Sequence, residues 1–162
     1  MSSTQIQELL DQAQATFDRR AEEVETDLDV EDAALLQLRK GCRLLTGADV
    51  LLEEGFYTLV IEASFVAIER TVEFRLLEQR ELEPDGLPGS HTGVYDEAAS
   101  AGVFSEGIAA DLTDLWRDHR AKTYYRDGLA TRERAVTVHA LATEVHDFVV
   151  GRSSRSHECR CE

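Results

Sequence analysis

The sequence is poor in the residues that break helices and in those that cross-link chains. Its 162 residues include only two prolines and three cysteines. Both prolines, Pro84 and Pro88, lie in the segment EPDGLPGS, so the rest of the chain lacks the residue that breaks helices most strongly. The cysteines are odd in number and have no framework spacing, which argues against a disulfide scaffold. We therefore expect Cys42 to be a small core residue.

Long apolar runs and common nucleotide motifs are also missing. No stretch approaches the roughly 20 apolar residues of a membrane span, and the N-terminal MSSTQIQELLDQAQ lacks the apolar core of a signal peptide. The sequence thus predicts a soluble cytoplasmic protein with no membrane partner. It contains no phosphate-binding glycine loop and no serine or cysteine nucleophile in a recognisable elbow, and we predict no cofactor.

Lysine is scarce, whereas acidic residues are abundant. Lys40 and Lys122 are the only lysines. The chain has 17 basic and 32 acidic residues, which gives a formal net charge of -15. This pattern is expected where surface carboxylates hold water and cations at high salt, so we infer the cytoplasm of a salt-accumulating halophile. At molar salt the Debye length is only ~3 Å. Net charge therefore does not exclude RNA, and nothing indicates DNA in particular.

Helical periodicity dominates the rest of the sequence and predicts an all-α antiparallel bundle of about five to six helices. We expect residues 1–151 to form a single domain. The tail RSSRSHECRCE has no apolar periodicity, so residues 152–162 are predicted to be disordered. The predicted helices cover residues 4–26, 31–46 and 57–80, a short helix ending near Gly102, and residues 105–125 and 131–151.

The helix predicted at 105–125 ends in a basic cluster, RDHRAKTYY, at residues 117–125. At about 100° per residue, Trp116 and His119 share the side that faces the core. Arg117, Arg120 and Tyr124 fall at i, i+3 and i+7 on the opposite side. Four interpretations remain open for these arginines: surface ion pairs with acidic neighbours, simple solvation, a dimer contact, or a ligand site.

Two segments resemble a HEPN domain, GFYTLVIEASFVAIERTVEFRLLE and LWRDHRAKTYYRDGLATRERAVTVHALATEVHDFV. HEPN domains are four- to five-helix bundles found in toxin–antitoxin pairs with minimal nucleotidyltransferases, in nucleotide-binding proteins and in many ribonucleases. The likeness spans most of residues 55–150. It implies a homodimer formed through the 105–125 region, with a minimal nucleotidyltransferase, RNA or nucleotide as partner.

The resemblance also assigns roles to individual residues. In the ribonuclease members four to six residues lie between an arginine and the histidine that follows it. Arg117 matches the arginine and Asp118 the polar residue after it, but the histidine position is occupied by other residues, Tyr124 among them. The predicted site for RNA, nucleotide or a protein partner comprises Arg117, Asp118, Arg120, Tyr124 and Tyr125.

Two alternatives stay open. One is a metal-independent, RNA-cleaving toxin with Arg117 and Tyr124 as catalytic residues, and the other is a non-catalytic interaction module. His119 lies about 200° round the helix from Arg117, so we expect a hydrogen-bonded core histidine there. Glu69 and Glu73, with Glu62, mark the polar side of the central helix, and we expect them to pair with the basic cluster.

Metal binding is predicted to be absent. His139 and His146 are separated by about 10.5 Å of helical rise, too far to share one zinc ion. The segment HECRC offers His157, Cys159 and Cys161, which is one ligand short of a closed tetrahedral site.

Overall fold

In a computed structural model, which describes residues 2–20, 22–79, 82–119 and 128–161, every regular element is helical and no strand occurs within these ranges. The predicted all-α class is confirmed. Two short 3-10 turns, Pro84–Gly86 and Ser156–Glu158, accompany the α-helices. The α-helices are α1 (Ser3–Asp18), α2 (Ala33–Glu53), α3 (Tyr57–Glu78), α4 (His91–Ser100), α5 (Glu106–His119) and α6 (Arg132–Val150).

Helix α3 is the centre of the bundle and packs against α2, α4 and α6. Its apolar residues occupy much of its circumference, and Phe65, Ile68 and Val72 have no exposed surface. Two hydroxyl groups are buried with them, and each donates to the carbonyl four residues earlier, Ser64 to Val60 and Thr71 to Ala67. The helix predicted at 57–80 is therefore confirmed, and it packs on several sides at the centre of the bundle.

Helix α2 extends further than predicted. The sequence suggested an end at Gly47, but the helix continues to Glu53, and the chain turns at Gly55 with a positive φ of 81°. A glycine inside a helix costs only about 1 kcal/mol. Ala48 is fully buried and Leu51 and Leu52 pack against the core, so tertiary packing outweighs that cost.

Helix α1 departs most from the prediction. It ends at Asp18 instead of continuing to residue 26, and it has no buried residue. The apolar stripe of α1 is exposed, with Phe17 84% accessible and Ile6 and Leu9 about half accessible. Apolar periodicity predicted the helix correctly, but it does not specify what the apolar face packs against.

The tail after α6 is ordered by specific contacts, whereas the sequence predicted disorder at 152–162. The Arg39 guanidinium donates to the Glu158 carbonyl and carboxylate, each at 2.7 Å, and to the Asp27 carbonyl at 2.8 Å. Arg155 pairs with Asp32 at 2.7 Å. These interactions are polar, and those that hold the tail join residues more than 100 positions apart, so a search for apolar periodicity does not detect them.

Candidate functional site

The predicted site lies where α5 ends. Arg117 and Asp118 are exposed in its last turn, whereas Trp116 and His119 are buried, as the helical wheel predicted. A cation in the last turn of a helix also interacts favourably with the helix dipole. The other predicted site residues, Arg120, Tyr124 and Tyr125, lie outside the described residues.

A histidine–carboxylate pair lies behind Arg117 and Asp118. His119 Nε2 is 2.6 Å from Glu62 Oε1, and the His119 ring stacks on Phe65 with centroids 5.0 Å apart. Only 7% of His119 is accessible. The expectation of a hydrogen-bonded core histidine is confirmed, and the carboxylate fixes the orientation of the ring.

A second pair of the same kind lies next to it. His91 Nδ1 makes a short hydrogen bond with Glu69, and the His91 ring lies 4.1 Å from the Trp116 ring. Burial raises the pKa of Glu69, although the nearby His91 opposes this shift. Burial and the charge of Glu69 together raise the pKa of Tyr95 above its ordinary value. A low-dielectric polar layer therefore lies beneath α5.

Within the described residues, the carboxylates of the central helix have partners other than the arginines of the basic cluster. Glu73 lies 3.2 Å from Arg70, Glu69 bonds His91, and Glu62 bonds His119. Burial raises the pKa of Glu73. We expected these glutamates to pair with the arginines of the basic cluster. In the described part of the chain their contacts are instead local or with histidines, so Glu69 and Glu73 do not hold Arg117 there.

A small cavity of about 190 Å³ opens between α3, α5 and α6 beside the end of α5. Its apolar part is formed by Ile61, Phe65, Leu115 and Val138, and its polar part by Asp118, His119 and Arg134. Pockets for drug-sized ligands usually have volumes of about 300–1,000 Å³. This cavity therefore has room for one planar ring rather than a whole nucleotide.

Four further residues with metal-binding side chains meet elsewhere in the fold. Cys42 from α2, His146 from α6 and Cys159 and Cys161 from the tail place their ligand atoms within 4.8 Å of one another. Sequence spacing could not reveal this group, because Cys42 and His146 are 104 residues apart. The sequence predicted a tail one ligand short of a metal site because only residues close in sequence were considered. The fold adds two ligands from elsewhere in the chain, Cys42 and His146.

The other histidines considered for metal binding are not part of this cluster. His139 Nε2 lies 3.2 Å from Asp49 Oδ1, and the His157 side chain is 72% accessible. The inference that His139 and His146 do not share a site is thus in accord with the structure. Cys42 is buried, as predicted, with 1% of its surface accessible.

The fold and these sites define an all-helical domain with a mixed apolar and polar cavity at the end of α5 and a cysteine–histidine cluster under its tail. No helix in the described ranges is long and apolar enough to cross a membrane. The chain belongs to the family described as Domain of unknown function (DUF8154), whose model matches residues 1–161. No curated protein and no solved structure matches it.

Proposed function

We propose that this protein is a HEPN-like, homodimeric helical domain that binds nucleotide or RNA at the end of α5, within a toxin–antitoxin or nucleotidyltransferase-linked system. One observation carries the proposal. The cavity between α3, α5 and α6 lies at the residues that follow Arg117, since Asp118 and His119 form part of its wall.

The cavity has the chemistry that a nucleotide requires. Leu115 and Val138, which are partly exposed, provide an apolar surface for one base, and burying apolar area is worth about 25 cal/mol per Å². Arg134 contributes a guanidinium at the same cavity, and Arg117 is exposed in the last turn of α5. Guanidinium groups bind phosphate through paired, charge-assisted hydrogen bonds. A nucleotide bound with only its base inside the cavity and its phosphate outside would fit the small cavity volume.

RNA cleavage is a second candidate function, favoured by the position of His119. This histidine is oriented by Glu62 and lines the same cavity as Asp118. A histidine held by a carboxylate is a common arrangement for a general acid or base. Arg134, which lines the same cavity, would then stabilise phosphate charge, with His119 in place of the predicted Tyr124 as the proton-transfer group.

The test is binding and cleavage of labelled single-stranded RNA and a fluorescent nucleotide in molar KCl, with the oligomeric state measured by light scattering. We expect a dimer whose affinity falls about tenfold or more in Arg117→Ala and Arg134→Ala, the loss expected for one charged hydrogen bond. Arg152→Ala is the matched control, because Arg152 lies beyond the other end of α6, over the Phe148 ring.

Each outcome separates the candidates. Cleavage that is lost in His119→Asn but retained in the control would establish the ribonuclease. Binding without cleavage would establish the binding domain. Absence of binding, or equal loss in all three arginine variants, would refute both proposals and leave a helical interaction module.

A further inference from the structure

The cysteine–histidine cluster has the dimensions of a tetrahedral metal site. A zinc ion with sulfur ligands at about 2.3 Å and a nitrogen at about 2.0–2.1 Å requires sulfur–sulfur separations of roughly 3.8 Å and sulfur–nitrogen separations of roughly 3.5 Å. The Cys42 and Cys159 sulfurs are 3.6 Å apart. His146 Nε2 lies 3.9 Å from the Cys42 sulfur, 3.3 Å from Cys159 and 3.1 Å from Cys161.

These distances are incompatible with a disulfide in the folded arrangement. A disulfide bond is about 2.05 Å long, whereas the two sulfurs at 3.6 Å are in non-bonded contact. All three cysteines are free thiols. The three thiols lie around one imidazole in a partly buried site. When any of them ionises, its negative charge requires a positive charge nearby.

Hydrogen bonds around His146 select the tautomer that a metal requires. The Thr71 hydroxyl donates to the Ala67 carbonyl at 2.8 Å, so its oxygen is left to accept the Nδ1–H of His146 at 3.0 Å. The Nε2 lone pair then points at the three sulfurs. Metal-bound histidines almost always donate their other N–H in this way. Gly41 leaves room for the contact, since a Cβ there would lie 3.1 Å from Thr71 Oγ1.

The surroundings also stabilise ionised sulfur. The backbone N–H of Arg160 donates to the Cys42 sulfur at 3.3 Å. An N–H donor stabilises a thiolate more than a thiol.

We propose that Cys42, His146, Cys159 and Cys161 bind one Zn²⁺ ion in a closed Cys3His site that fastens the tail to α2 and α6. Thiolate and imidazole ligands favour zinc over magnesium or calcium. Four protein ligands leave no open position, which is typical of structural rather than catalytic zinc. On binding, the three thiols release their protons to solvent, and the site carries a net charge of about -1.

The first test is metal content after purification and zinc reconstitution in molar KCl, measured by plasma mass spectrometry. We expect one zinc per chain in the wild type and in His157→Asn, a control that changes an exposed histidine of the same tail. Cys159→Ser and Cys161→Ser should lose the metal. Cobalt substitution of the wild type should give the intense visible bands of a tetrahedral site with thiolate ligands, a readout that requires no variant to fold.

Thr71→Val tests the positioning of His146 separately. Loss of the hydrogen bond to a metal-bound histidine should weaken zinc affinity about 10–100-fold in competition with a chelator, without abolishing the cobalt bands. A wild-type chain that takes up no zinc and gives no cobalt bands would overturn the proposal. So would a mass lower by two hydrogens under native conditions, because it would show that two of the cysteines form a disulfide.

Discussion

Replacing Arg39 with alanine should release the tail from the bundle. Arg39 is almost buried on α2, with 9% of its surface accessible. It is the link between α2, the 25–28 loop and the tail, through its bonds to Asp27 and Glu158. The tail carries Cys159 and Cys161, so Arg39→Ala perturbs both the stability of the fold and the order of the proposed zinc ligands.

The magnitude follows from these bonds. Each hydrogen bond from a charged group contributes about 1.5–3 kcal/mol. Their full sum is not lost, because the released Glu158 and Asp27 groups regain water, and the Glu158 side chain is already 30% accessible. We therefore expect the free energy of unfolding to fall by about 2–4 kcal/mol. Breaking a fully buried ion pair costs somewhat more, about 3–5 kcal/mol. At about 1.4 kcal/mol per tenfold, zinc affinity should fall roughly 30-fold to several hundred-fold.

Urea unfolding and a zinc–chelator competition measure the two effects in molar KCl. Arg43→Ala is the matched control, one helical turn further along α2. Its side chain is 42% accessible and its guanidinium pairs with Glu25 at 3.3 Å, so we expect a loss of less than about 1 kcal/mol. Equal effects of the two substitutions would refute the conclusion that Arg39 holds the tail.

Three further predictions concern the core and buried charges. Phe65→Ala removes a fully buried ring and should cost about 3–5 kcal/mol in thermal or urea unfolding; a loss under about 1 kcal/mol would contradict the packing. Asp32→Asn keeps a capping side chain but removes the charge. We expect it to lower the free energy of unfolding at neutral pH, and this loss should vanish as pH falls through the pKa of Asp32 in the folded protein. The reason is that the hydrogen bond from Arg155 lowers the pKa of Asp32, so its ionised form stabilises the fold. Burial instead raises the pKa of Glu73, so Glu73→Gln should become more stable relative to wild type as pH rises from about 4.5 to 7, and an unchanged pH profile would contradict this.

The sequence predicts the central part of the fold well because that part depends on local apolar patterns. The apolar residues of α3 continue round the helix, which is typical of a helix packed on several sides, and the helix predicted at 131–151 is found as α6, capped by Thr131. The same reasoning placed His119 in the core and Arg117 on the surface. The periodicity of α1 was equally clear, but its partner surface is not encoded in its own spacing.

The cysteine–histidine cluster could not be predicted from spacing, because its members come from two helices and the tail. The absence of apolar periodicity in the tail predicts disorder, but the tail is held by the bonds of Arg39 to Glu158 and of Arg155 to Asp32. An odd number of cysteines together with HECRC was the available signal. It becomes informative only when α2 and α6 are known to pack against each other.

The most direct test of the account is X-ray absorption at the zinc edge of the reconstituted protein, since it reports the atoms bound to the ion. We predict three sulfur neighbours at about 2.3 Å and one imidazole nitrogen at about 2.0 Å in the wild type, whereas Cys159→Ser, which should not retain the ion, should show no zinc–sulfur shell. A shell of oxygen and nitrogen only, or an unchanged sulfur count in that variant, would contradict the conclusion that the fold brings Cys42, His146, Cys159 and Cys161 together around one metal ion.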